Sequence, residues 1–187
     1  MSKNILIVGA SGLVGGEILK NLKTTNNDLI LLSRKKLICE NSINQIVIDF
    51  ENIDSLDASL KVDEIYIAIG QKLSLSELVY IKKNNRKSFV NVDYNYIKKV
   101  AEFAKKCGAS SIGLISAIGA NSKSFNTYLK VKGDVEQEIK LVGYKKIIIA
   151  HPSHLLGKRA GEDIPMNVKV FEQITNLFGL LMIGPLQ

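Results

Sequence analysis

Three side chains in this chain have the types and spacing to move a proton: Ser116, Tyr128 and Lys132. Tyr128-Leu-Lys-Val-Lys132 places a phenol and an ammonium four residues apart in a helical stretch, on one face. A cation beside a phenol lowers its pKa from about 10 toward the working range and makes it a usable proton donor to a carbonyl. Ser116 ends the apolar run Ser111-Ile-Gly-Leu-Ile115, twelve residues before the tyrosine. There it can hydrogen-bond the same oxygen while a nicotinamide delivers hydride. Tyr94 and Lys98 share the spacing, so spacing alone does not choose between the pairs. Order along the chain does, because only Tyr128 opens the helix that follows the serine-bearing strand.

A nicotinamide chemistry needs an element that holds a dinucleotide, and the first twenty residues supply one. Ile5 to Val8 reads as a buried parallel strand, and Leu13, Val14, Ile18, Leu19 and Leu22 recur at helical spacing. Between them lies Gly9-Ala-Ser-Gly-Leu-Val-Gly15. A helix start offers unpaired N–H groups and partial positive charge to a pyrophosphate. Gly9 allows the tight turn, Gly12 the approach of phosphate to backbone, and Gly15 the packing of helix on strand. Ser11, Leu13 and Val14 complete the binding turn. The spacing is neither the G-x-G-x-x-G of the classical dinucleotide fold nor a Walker loop.

The remaining elements follow in alternation. Asp28–Ser33 is a second buried strand, ending in Ser33-Arg34-Lys35-Lys36. An acid near this strand end would bind a ribose 2′-hydroxyl; here Arg34 and Lys35 can grip a 2′-phosphate, which favours NADP(H) over NAD(H). The alternative is an exposed basic turn. Ile46–Ile48 is a third strand, followed by Asp49 and Phe50, which by position border an adenine, unless Asp49 is a polar loop residue without a ligand. Glu51–Leu60 reads as a short helix and Glu64–Ile69 as a fourth strand, and Ala68 and Gly70 leave room for a flat ligand. A long helix over Lys82–Cys107, a fifth strand, a helix over Ser124–Leu141 and a sixth strand at Lys146–Ala150 complete a doubly wound α/β sheet of Rossmann type.

Composition narrows the class. The 187 residues suit a single domain, with residues 1–150 as core and 151–187 as a substrate-side loop and helix. The net charge of +7 comes from lysines scattered over helix faces without interleaved aromatics, which argues against nucleic acid as a partner. Cys39 and Cys107 form neither a metal-like spacing nor a disulfide framework, and no metal site is expected. Met1-Ser-Lys-Asn runs straight into the first strand, and no apolar run reaches the ~18 residues of a membrane span. A soluble, cytoplasmic protein is the expectation.

Together, Gly9–Gly15, the serine ending strand five and Tyr128-x-x-x-Lys132 resemble the short-chain dehydrogenase/reductase superfamily. The chain is closer to its atypical, NmrA-like branch, which includes the Tat-interacting oxidoreductases. The matching stretches are Leu31-Leu-Ser-Arg-Lys-Lys36, Val47-Ile-Asp-Phe-Glu51, Val90-Asn-Val-Asp-Tyr94 and Tyr128-Leu-Lys-Val-Lys-Gly-Asp-Val-Glu136. The resemblance covers about residues 4 to 160. It implies a Rossmann fold, an NADPH site and the Ser116/Tyr128/Lys132 triad.

The chain departs from that pattern after strand six, with His151-Pro152 where such families carry Arg-Pro. The segment His151–Gly157 would lie over the nicotinamide, where His151 or His154 could touch substrate; both are equally readable as plain loop residues. Val170, Phe171, Ile174, Leu177, Phe178, Leu181 and Met182 form a wide apolar helical face, to roof the pocket or to pair with a second subunit or protein partner. Two functions follow. One is an NADP(H)-dependent oxidoreductase acting on a small carbonyl substrate. The other is a non-catalytic NADP(H)-binding regulator that presents a redox-dependent surface to a partner protein.

Overall fold

The computed structural model describes residues 2–39 and 43–152. The chain divides into two units, Met1–Ser153 and His154–Gln187, and the first is the one described. The helix expected over residues 170–182 and His154 lie outside the described residues.

Six parallel strands make one sheet: β1 (Asn4–Val8), β2 (Asp28–Ser33), β3 (Asn44–Val47), β4 (Glu64–Ile67), β5 (Ser111–Ile115) and β6 (Lys146–Ala150), in the order β3-β2-β1-β4-β5-β6. The central strands are continuous apolar runs because both faces are covered. Side-chain alternation divides them cleanly. Leu6, Val8, Ile30, Leu32, Ile65 and Ile67 enter the large core on one face. Ile5, Ile7, Leu29 and Leu31 meet Ile18, Leu19 and Leu22 of α1 (Leu13–Leu22) on the other.

The large core is closed by the long helix predicted over Lys82–Cys107. It is three helical pieces in one: α3 (Lys83–Val90), a π-helical turn (Asn91–Tyr96) and α4 (Ile97–Lys106), with helical backbone at both junctions. Ile97, Val100, Ala101 and Ala104 of α4 are fully buried in that core, and α5 (Thr127–Leu141) adds Val135 and Ile139. The short helix α2 (Leu75–Val79) precedes α3. The helix expected over Glu51–Leu60 is a shorter 3-10 segment, Phe50–Ser55, kinked at Asn52 and capped by the Asp49 carboxylate. Among the described residues, no helix is long and apolar enough to cross a membrane.

Candidate active site

The strand order reverses between β1 and β4, since β2 and β3 continue on one side of β1 while β4, β5 and β6 continue on the other. In open α/β sheets the crevice at the carboxyl ends of the strands flanking such a switch is the ligand site. Here the two strand ends press together. Gly9 has φ +95°, and a Cβ on it would stand 2.6 Å from the Ala68 carbonyl oxygen. A Cβ on Gly15 would stand 2.1 Å from the Gly9 oxygen, so α1 reaches its seat against the turn only with glycine at both places. Gly12 caps α1 in extended conformation and donates its N–H to the Gly9 carbonyl at 2.9 Å. No side chain caps α1, and no acid sits in its first turn. The start of the helix, with Leu13 and Val14 half-buried and Ser11 exposed before it, is therefore open to an anion. A tight turn that only glycine allows, leading into a helix start without a side-chain cap, fits a dinucleotide pyrophosphate.

The adenosine end differs from expectation at one residue. Arg34 and Lys35 are exposed just past β2, as a phosphate contact requires. Asp49 is exposed and accepts the Glu51 N–H at 3.1 Å. Phe50, expected beside an adenine, is buried in the large core, edge-on to Tyr96 with ring centroids 5.6 Å apart. Its ring is apolar enough that core packing claims it.

Helix α5 carries the reactive candidates. Asn126 caps it by accepting the Leu129 N–H at 3.1 Å, and its amide donates to the carbonyls of Leu78 and Val79 at 2.9 and 3.1 Å. Tyr128, Lys132 and Glu136 then fall at successive turns on one face. The Lys132 ammonium is buried and lies 2.8 Å from the Asp93 carboxylate, which is itself fully buried. A Cβ on Gly70 would be 3.8 Å from that ammonium, so the charge sits at the carboxyl end of β4, in the crevice.

Ser116 ends β5 as expected and is buried, but its hydroxyl donates to the Glu136 carboxylate. The same carboxylate oxygen lies 2.9 Å from His151 Nε2. The serine thus meets the α5 face that carries Tyr128 and Lys132 only through Glu136, one turn beyond the lysine. The sequence reading also has the Lys132 cation lowering the Tyr128 pKa. The phenol is instead pushed up, first by burial and then by the negative charge of Asp93. Asp93 holds the lysine directly, and the tyrosine ring packs against Phe89 with centroids 5.9 Å apart.

Two side chains of this site were not assigned a role from sequence. Glu136 follows Lys132 by one helical turn, a spacing visible in the chain. Asp93 falls in the matching stretch Val90–Tyr94 but lies 39 positions before the lysine it binds, and no local spacing joins the two.

No family model matches the chain. Among curated proteins, it is 32% identical to Protein HTATIP2 of Rattus norvegicus over 84% of its own length. It spans 65% of that relative, just under two thirds. It is 30% identical to Protein FMP52, mitochondrial, of Lodderomyces elongisporus, covering 85% of this chain and 69% of the relative. Solved structures of like fold include the Bordetella bronchiseptica enzyme WbmH in complex with NAD+ (TM-score 0.70, 12% identity, 92% of this chain and 64% of that one). Another is the Thermoplasma acidophilum aldohexose dehydrogenase in ligand-free form (TM-score 0.68, 17% identity, 90% and 76%). The expectation of a cytoplasmic protein is corrected by these relatives: the fungal FMP52 proteins are mitochondrial by name. An N-terminus that runs directly into β1 is no guide to compartment. The glycine turn, the parallel sheet and these relatives agree, and the chain belongs to the atypical short-chain dehydrogenase/reductase family of NAD(P)-binding, Rossmann-fold oxidoreductases.

Proposed function

We propose that this protein is an NADP(H)-dependent oxidoreductase that reduces a small carbonyl compound. The observation that carries the reading is the meeting of the Gly9–Gly15 turn, the Ala68–Gly70 strand end and the Lys132 ammonium in one crevice at the switch point. On this reading the first turn of α1 holds the pyrophosphate, Arg34 and Lys35 hold the 2′-phosphate, and Asp49 lies toward the adenine. Lys132 holds the ribose next to the nicotinamide. The bound cofactor supplies hydride. Tyr128, one helical turn before Lys132 on α5, supplies the proton to the carbonyl oxygen. Ser116 and His151, joined through Glu136, border the substrate side.

A second reading has one observation in its favour. The Ser116 proton is given to Glu136 rather than offered toward Tyr128, as a site that binds the dinucleotide without turnover would permit. This is the non-catalytic, redox-responsive binding module.

Fluorescence titration with NADPH and NADH, followed by a carbonyl screen, tests both readings. Micromolar NADPH binding, weak NADH binding and a reduction that falls at least a hundredfold in Tyr128→Phe support the enzyme; a positioned proton donor contributes roughly 10²–10⁴ in rate. Tight binding with no reduction, and a partner protein whose affinity differs between the NADPH and NADP forms, supports the module. Failure to bind either cofactor defeats both.

A further inference from the structure

We propose that Asp93 is a positioning residue of this site, fixing the Lys132 ammonium at the carboxyl end of β4 and tying it to the loop that follows Gly70. The proposal rests on the reading of Lys132 as a cofactor contact.

Both partners of the pair are buried, with side chains 7% and 2% exposed. Removing two charges from water costs about what their attraction returns, so a pair in such a place is poorly explained as a source of stability. Its geometry is better explained as placement. Asp93 Oδ1 meets the ammonium at 2.8 Å, and Oδ2 accepts the Gln71 N–H at 2.7 Å. One carboxylate therefore joins α5 to the strand end that borders the crevice.

The space around the pair is shaped for it. A Cβ on Gly70 would approach Asp93 Oδ1 to 3.1 Å, tighter than ordinary contact. Asp93 itself stands in the π-helical turn Asn91–Tyr96. A π turn carries one residue more than an α turn, which rotates the side chains on its two sides out of common phase; such turns gather at functional sites. Here α3 presents Phe89 to the Tyr128 ring while α4 keeps Ile97 and Val100 in the sheet core. Between these two demands, the turn aims Asp93 inward.

The same carboxylate acts on the tyrosine. After burial, its negative charge is the second influence that pushes the Tyr128 phenol above its ordinary value.

The test compares whole cofactors with their adenosine halves: NADPH with 2′,5′-ADP, and NADH with ADP. The halves lack the nicotinamide ribose. Asp93→Asn is expected to weaken the whole cofactor about tenfold and its half less than twofold. Asp93→Glu keeps the charge but moves it by a methylene, leaves no buried cation uncompensated, and is expected to show the same selective loss if the asparagine variant does not fold. In Lys132→Met, which should itself show the selective loss, adding Asp93→Asn should change the ratio no further, because the aspartate acts through the lysine. Equal weakening of whole and half cofactor in the Asp93 variants would reduce Asp93 to a structural role and overturn the proposal. So would unchanged binding in Asp93→Asn beside a selective loss in Lys132→Met. If Lys132→Met shows no selective loss, the cofactor role of the lysine fails first, and this proposal with it.

Discussion

Arg34 is the side chain on which the proposed cofactor preference turns. It stands exposed after β2 with Lys35, and its charge reaches the Tyr96 phenol, as does that of Asp49. The ends of β2 and β3 thus come near the same phenol. A guanidinium–phosphate contact is worth about 1.5–3 kcal/mol. Arg34→Ala is expected to weaken NADPH by more than tenfold and NADH by less than threefold, measured by cofactor fluorescence. Equal losses would remove Arg34 from the 2′-phosphate. The exposed basic pair behind this proposal is a local signal, visible in the chain just past an apolar run. Asp93 was not readable, since its partner is 39 positions away and a lone carboxylate in a helix is usually a solvated face. Phe50 was misplaced for the opposite reason. Its position beside β3 suggested an adenine, but an aromatic ring near a large core is drawn into it.

Among the elements, α5 is joined to α2 by Asn126. Asn126 caps the helix and holds the last carbonyls of α2, so it joins two elements that are 48 positions apart at Leu78. Loss of such a cap costs about 1 kcal/mol. Asn126→Ala is expected to lower stability by about 1–2 kcal/mol in urea unfolding and to speed amide exchange in Leu75–Val79 before the rest of the fold; a uniform change would deny it the link. The strands and long helices were legible because apolar runs and helical stripes are properties of the chain itself. Two features were not. The five residues of α2 are too few to show a period. The π turn within Lys83–Lys106 leaves the apolar stripe nearly continuous, so the sequence shows one helix where the structure has two phases.

At the scale of the molecule, the helical layer is tied to the sheet's far edge by Tyr144. Its hydroxyl donates to the Ala101 carbonyl of α4 at 2.6 Å, and burial pushes its pKa well above the ordinary phenol value. A phenol whose folded pKa is raised contributes stability that is complete below its unfolded pKa of about 10. That contribution is lost as pH climbs from there toward the folded value. Tyr144→Phe is expected to cost about 1 kcal/mol at neutral pH. The gap to wild type should narrow in alkaline unfolding measurements above pH ~10; a constant gap would show that the phenol does not titrate with unfolding.

The central position of β1 has a kinetic consequence. Leu6 lies opposite Ile30 on one side and Ile65 on the other, partners 24 and 59 positions further along the chain. Closing such loops precedes any reward from the pairing, and this slows parallel sheets relative to helical bundles of the same size. Until β4 arrives, β1, with Ile5 to Val8 all buried in the finished fold, has one edge unpaired. During folding, Ile5–Val8 is then the segment most ready to pair with the wrong chain, and dilution, which separates chains without slowing loop closure, is the condition under which it finds the right one.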